Sequence, residues 1–249
     1  MRRKNFWKTV KATIRDSDML LLILDARHVK ETLNAEIVQK IRGEGKPIIY
    51  VVTKADLEPN IEKEDLPKPY VIVSTKVRSG KSALRERILI TAEQRYGKEA
   101  NVRVGVLGYP NVGKSSVINM LKGARSAPVS AAAGYTKSEQ FIRVHKKILL
   151  IDTPGVIPFG EKDKALHAVT GVLDINKLKD PADTLSKIME RHPGVIESHF
   201  GINTSGKIAE DVIEAIAQKK NLIMRGGIPD TARAARMVIA AIQKGKIRL

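Results

Sequence analysis

The sequence predicts an α/β protein: a mostly parallel sheet wrapped by helices over residues 1–162, then a small all-α domain over residues 163–249. Three observations carry that expectation. Up to about Lys162, β-rich runs alternate with helical stretches, the pattern of a parallel sheet covered by helices. One of those runs passes through a glycine-rich loop into an apolar-faced helix. Past Pro158-Phe159-Gly160 the β-rich runs stop, and apolar residues recur only at helical spacing.

Taken in chain order, Trp7-Lys8-Thr9-Val10 lies in an opening helix, with Trp7 as its anchor to the core. Leu20 to Leu24 reads as a buried strand, too short to span a membrane, that runs into Asp25-Ala26-Arg27. Asp25 and Arg27 either shape the rim of a site or form a structural ion pair. Pro47 to Val52 is a second strand, ending on Thr53-Lys54-Ala55-Asp56, and Tyr70 to Lys76 is a third, ending in Ser74-Thr75-Lys76. Arg78-Ser79-Gly80-Lys81-Ser82 starts a helix. Asn101 to Leu107 is the strand before the glycine-rich loop, and Ser116 to Leu121 lies in the helix after it. Ala131 to Lys137 is a small-residue loop with little to pack. Lys147 to Ile151 is a strand that delivers Asp152. In the second domain, Thr184–Arg191, Ile208–Lys219 and Thr231–Lys244 read as helices, broken by His192-Pro193-Gly194 and Gly226-Gly227.

The glycine-rich loop, Gly108-Tyr109-Pro110-Asn111-Val112-Gly113-Lys114-Ser115, has the GxxxxGKS pattern of a phosphate-binding loop. Its backbone N–H groups face phosphate oxygens at a helix N-terminus, where the peptide dipoles favour negative charge. Pro110, Asn111, Val112, Gly113 and Ser116 are expected around the phosphates, with Lys114 reaching the β- and γ-phosphates and Ser115 ligating Mg²⁺. Asp152 is expected in the Mg²⁺ shell through water, and the Gly155 N–H on the γ-phosphate. The segment at residues 78–82 also carries Gly-Lys-Ser but lacks the upstream glycine and the strand before it.

Thr53-Lys54-Ala55-Asp56 reads as a guanine reader. An Asp56 carboxylate accepts two hydrogen bonds, from guanine N1–H and the 2-amino group; adenine presents a lone pair and no 2-amino group. Leaving a buried polar group without its partner costs about 1–3 kcal/mol, and more for a charge. Lys54 lays its stem along the base. Thr53 stands where NKxD has asparagine, keeping a hydroxyl and losing an amide, which predicts weaker stiffening there. Ser74, Thr75 and Lys76 resemble the last GTPase motif, whose amides meet the guanine carbonyl.

In an ordinary GTPase the base reader follows the phosphate motifs; here it precedes them. With Asp18-to-Arg27 near the start and Gly226-Gly227-Ile228-Pro229-Asp230-Thr231-Ala232-Arg233-Ala234-Ala235 near the end, the whole pattern resembles the YlqF/RbgA–YawG family of circularly permuted GTPases. That resemblance implies a P-loop GTPase fold, GTP hydrolysis to GDP and phosphate, and a switch role in large ribosomal subunit assembly through rRNA. Switch I then lies between the loop helix and Asp152, with Thr136 as its Mg²⁺ ligand and Ser130 and Ser138 as rivals. Val156 stands where Ras-like proteins place the water-orienting glutamine, so intrinsic hydrolysis is expected to be slow. Asn111 is the expected K⁺ ligand, the cation supplying charge stabilisation in catalysis alongside Lys114 and Thr136; alternatively it only shapes the loop. Stimulation by potassium or by the ribosome follows. The helical domain hangs directly from the segment that senses the γ-phosphate, so nucleotide state is expected to set its position.

The net charge of +17 points to a polyanionic partner. Arg2, Arg3, Lys4, Lys8, Lys11 and Arg15 precede any acidic residue, and Lys219, Lys220, Arg225, Arg233, Arg236, Lys244, Lys246 and Arg248 face only Asp230. Aromatics make up 4% of residues, which favours phosphate and shape contacts over base stacking. The absence of cysteine excludes disulfides and thiolate metal sites, and the five histidines lack metal-ligand spacing. No run approaches membrane-spanning length, so the chain is expected to be cytoplasmic, and monomeric. Two other classes stand beside the enzyme: a nucleotide-dependent RNA-binding scaffold with little turnover, and a P-loop kinase or ATPase, which Asp56 and the permuted order oppose.

Overall fold

The computed structural model describes residues 2–122, 140–152, 164–171, 174–203 and 208–249. The chain divides into two compact units, Met1–Gly160 and Glu161–Leu249. In the first, α1 (Arg2–Asp16) leads into β1 (Met19–Asp25), α2 (Val29–Thr32), α3 (Ala35–Gly43), β2 (Ile48–Thr53) and β3 (Tyr70–Ile72). Then come α4 (Lys81–Tyr96), β4 (Val102–Leu107), α5 (Lys114–Lys122), β5 (Gln140–His145) and β6 (Ile148–Asp152). The sheet order is β3-β2-β1-β4-β6-β5. Every neighbouring pair is parallel except β5 with β6.

β1 is Met-Leu-Leu-Leu-Ile-Leu-Asp, buried at every position, as a strand covered on both faces must be. Leu20, Leu22 and Leu24 pack against Val10 and Ile14 of α1 and Ile37 and Ile41 of α3. Leu21 and Ile23 face the other side and are equally buried. Each such side chain is worth about 1.5–3 kcal/mol when buried, so β1 is the fixed spine of the unit. Its carboxyl end is therefore a rigid rim. Asn34 helps set the geometry there, accepting from Ile37 N (2.9 Å) as the N-cap of α3.

One expected strand is shorter than its composition suggests. Tyr70 to Lys76 reads as β throughout, but β3 stops at Ile72. Ser74 and Ser79 instead form an isolated antiparallel bridge, closed by the Ser79 N–H on the Ser74 carbonyl (2.9 Å). The Ser74 hydroxyl accepts from Val77 N at 3.3 Å, so its side chain competes with the ladder and turns the chain.

The second unit holds α6 (Lys164–Val169), α7 (Pro181–Arg191), α8 (Val195–Phe200), α9 (Ala209–Lys219) and α10 (Thr231–Gln243). Leu185, Ile188, Ile196, Val212, Ile216 and Ile239 belong to its core. Asp180 caps α7, accepting from Asp183 N (2.9 Å) ahead of Pro181 at the first helical position. Asp230 caps α10, accepting from Arg233 N (2.9 Å). The predicted helices correspond to α7, α9 and α10. The six-residue α6 and α8 are too short to show a helical period in sequence. Among the described residues no helix is long and apolar enough to cross a membrane.

Candidate functional site

Strands β3, β2, β1, β4 and β6 all finish on one edge of the sheet. From β1 the chain proceeds outward to β2 and β3; it then returns to β4 on the other side of β1. The connections leaving β1 and β4 diverge there and open a crevice, the place where α/β sheets bind ligands. A cleft of about 440 Å³ lies on this edge, lined by Thr53, Lys54, Thr75, Pro110, Asn111, Gly113, Lys114, Ser115 and Ser116. All nine were expected at a nucleotide site, from three segments remote in sequence.

The loop after β4 needs its glycines. Gly108 has φ of +151°, and a Cβ there would stand 2.7 Å from the Ile23 carbonyl oxygen; Gly113 has φ of +103°. Asn111 is also left-handed, at φ of 60°. The loop delivers the first turn of α5, where the helix dipole favours an anion. Lys114 is buried, and its ammonium donates to the Tyr109 carbonyl across the loop. Tyr109 is itself buried, and its hydroxyl accepts from Asn34 Nδ2 (3.2 Å).

Opposite the loop, Asp25 and Thr53 are register partners at the ends of β1 and β2. Lys54 is left-handed, with φ of 58°, and places its Nζ 2.7 Å from Asp25 Oδ2. Arg27 donates to the same carboxylate from Nε (3.0 Å) and Nη2 (2.8 Å). Burial alone would raise the Asp25 pKa. The hydrogen bonds from Arg27 and the charges of Lys54 and Arg27 overcome it and hold the carboxyl at about 2. Asp25 is thus both readings at once, a buried ion pair and the anchor of the base-side lysine.

Asp56 Oδ1 accepts from Ser74 Oγ at 2.5 Å, with Lys76 Nζ 3.9 Å from Oδ2. The Ala55 N–H points to the Val73 carbonyl (3.4 Å). Asp56, Ser74 and Lys76 lie outside the lining of the cleft but belong to the two segments that supply Lys54 and Thr75. Ser74 therefore aims the Asp56 carboxylate with its side chain, a role its sequence position alone did not suggest.

Thr53 carries the connection between the two halves. Its buried hydroxyl lies 2.9 Å from the Leu24 carbonyl oxygen and 2.5 Å from that of Val112 in the phosphate loop. One proton serves one of these acceptors at a time. The Thr53 hydroxyl thus ties the Thr53-Lys54-Ala55-Asp56 segment directly to the phosphate loop. Neither this contact nor Asn34–Tyr109 was apparent from sequence. The visible signal for Asp25 was only an acid-x-arginine at a strand end.

The donors suit Mg²⁺. Such a site needs hard oxygens, usually one or two from protein, with phosphates and waters completing it. Ser115 offers an exposed hydroxyl on the cleft wall beside Lys114. Asp152 ends β6, whose Ile151 is the register partner of Gly105 on β4, so its backbone reaches the same edge. No group of three His, Cys, Asp or Glu that could hold a metal occurs among the described residues. The Asp152 side chain, Thr136, Ser130, Ser138, Gly155 and Val156 lie outside the described residues.

Residues 103–224 match the 50S ribosome-binding GTPase family. An uncharacterized GTP-binding protein of Methanocaldococcus jannaschii is 38% identical over 96% of this chain and 65% of its own length. Nucleolar GTP-binding protein 2 of Cryptococcus neoformans is 31% identical over 98% of this chain and 38% of its own. The chain thus spans less than two thirds of these relatives. Among solved structures, GNP-bound YlqF from T. maritima superposes with a TM-score of 0.68 at 21% identity, covering 97% of this chain and 94% of that one. Residues 103–224 thus carry a GTPase domain of the 50S ribosome-binding family, and the chain has the fold of YlqF, with Thr53-Lys54-Ala55-Asp56 ahead of the phosphate loop.

Proposed function

We propose that the protein binds GTP and GDP in the crevice beside β1 and β4, hydrolyses GTP to GDP and phosphate, and acts as a switch in large ribosomal subunit assembly by binding rRNA. One observation supports this reading: the glycine-rich loop and the Thr53-Lys54-Ala55-Asp56 segment meet at one crevice, where Thr53 bonds to the loop. Asp56 accepts from guanine N1–H and the 2-amino group while Ser74 holds its other side. Lys54, held by Asp25, lays its stem on the base, and the amides of Thr75 and Lys76 meet the guanine carbonyl, while the Ser74 N–H donates to the Ser79 carbonyl (3.2 Å). The amides of residues 111–116 and the ammonium of Lys114 hold the phosphates, with Gly155 on the γ-phosphate.

Ser115, Thr136 and, through water, Asp152 would hold Mg²⁺, which neutralises phosphate charge when bound. Asn111 is the proposed ligand of K⁺ beside it. With Val156 unable to orient water, basal turnover is slow and rises with potassium or with the ribosome. The partner reading draws on the charge of +17, on the ribosome-binding family and on the nucleolar relatives; Arg233, Arg236, Lys244 and Lys246 are its proposed contacts in the second unit.

Titration with GTP, GDP and ATP tests the ligand. Guanine nucleotides are expected to bind far more tightly, and equal affinity for ATP would remove the base-reader assignment. Hydrolysis measured in potassium and sodium, with and without large subunits, separates the switch from a scaffold that hardly turns over.

A further inference from the structure

The edge of the sheet opposite the nucleotide crevice carries its own cleft. There β4 and β6 begin and the β5–β6 turn closes. The cleft is about 350 Å³, and its polar walls are Asn101, Arg103, Arg143, Lys146 and Lys147, four cations with no carboxylate among the lining residues. The acids nearby are engaged by cations of the same edge. Arg103 Nη2 lies 3.1 Å from Asp18 Oδ1, and its N–H donates to Oδ2 at 2.7 Å. Lys147 Nζ is 3.3 Å from Glu99, but the Glu99 side chain is 88% exposed, so that pair is weak and easily exchanged. Arg143 donates to the Lys146 carbonyl at 3.0 Å, which fixes its guanidinium across the turn while leaving it exposed. His145, between them, is kept below its usual pKa by burial and by the charges of Arg85, Lys146 and Lys147, a sign of a positive local field.

We propose that this cleft is a second phosphate-binding surface, which takes the sugar-phosphate backbone of double-stranded RNA. The identity of the polyanion rests on the ribosomal reading above; the surface itself does not. Arginine and lysine are the residues that pair with phosphate oxygens. The lining offers no aromatic platform for an unstacked base, so the backbone of a duplex is the matching ligand, read by charge and shape. Its other lining residues are Val102, which is buried, and Leu149, which is partly buried, so an acidic peptide would find little for its side chains. The six residues of β4, at about 3.3 Å each, put roughly 20 Å between the two edges. RNA here and nucleotide in the crevice bind at the same time.

The test is the salt dependence of binding to an RNA duplex of about 16 base pairs, the span a double-stranded RNA module covers. Arg143→Glu with Lys146→Glu alters two exposed side chains, and unchanged GTP affinity verifies the fold. Losing two phosphate contacts should lower the slope of log K against log salt by about two. A control pair of equal charge change, Lys177→Glu with Lys187→Glu in the second unit, should leave the slope within about half a unit of wild type. An unchanged slope in the first variant would overturn the cleft and leave the ribosomal reading standing, as would an equal fall in the control. Poly-glutamate competing as well as RNA for wild type but not for the variant would overturn RNA as the occupant. A wild-type protein that binds neither the duplex nor large subunits would overturn both.

Discussion

Replacing Asp25 by asparagine tests how the base side of the site is held. The carboxylate is fully buried, and Arg27 and Lys54 both bond to it. Its pKa falls from 3.8 to about 2 on folding. At 1.36 kcal/mol per unit, the charged form contributes about 2.5 kcal/mol of stability at neutral pH. Because the folded value lies below the unfolded one, that contribution is complete above about pH 5 and is lost as pH falls through roughly 4 to 2; about half is gone at pH 3. Trp7, the single tryptophan, packs on the core around β1 and reports unfolding of this unit. Urea unfolding followed by its fluorescence should show Asp25→Asn about 2–3 kcal/mol less stable than wild type at pH 7, with the gap roughly halved at pH 3. A neutral partner for Lys54 also replaces a charge-assisted bond by one about 1 kcal/mol weaker, so GDP affinity should fall about fivefold. A gap that is below about 0.5 kcal/mol, or that does not change with pH, would refute the reasoning.

Thr53→Val keeps shape and removes the hydroxyl at the Val112 and Leu24 carbonyls; it should cost about 1–2 kcal/mol and weaken GTP and GDP alike in a fluorescence titration, and an unchanged affinity would show that the contact is passive. Asp56→Asn should move preference from guanine towards xanthine nucleotides, because the amide donates to the xanthine 2-carbonyl; retained GTP preference in a competition assay would count against Asp56 as the reader. Asn111→Ala should abolish the potassium effect on turnover while largely sparing GDP affinity, and equal wild-type rates in potassium and sodium would remove the cation altogether.

What the sequence shows and what it hides divide by sequence separation. The strands and the phosphate loop are local patterns: a run of buried aliphatics, then glycines that a left-handed loop requires. The crevice follows once the strands are ordered. Contacts across the sheet are different. Lys54 meets Asp25 across 29 residues and Thr53 meets Val112 across 59, in both cases because parallel strands bring two carboxyl ends together. Asn34 reaches Tyr109 across 75 residues. No periodicity encodes such pairs. The third strand ended early for a local reason that composition masks, since Val73 continues the β pattern while the Ser74 hydroxyl turns the chain.

Nucleotide state in the crevice is proposed to govern attachment to the large ribosomal subunit. Co-sedimentation of the protein with large subunits, in GDP and in a non-hydrolysable GTP analogue, tests it most directly. Pelleting with the analogue and release with GDP is the predicted result, with the quadruple neutralisation of Arg233, Arg236, Lys244 and Lys246 weakening it at unchanged GTP affinity. Equal pelleting with both nucleotides would contradict the account.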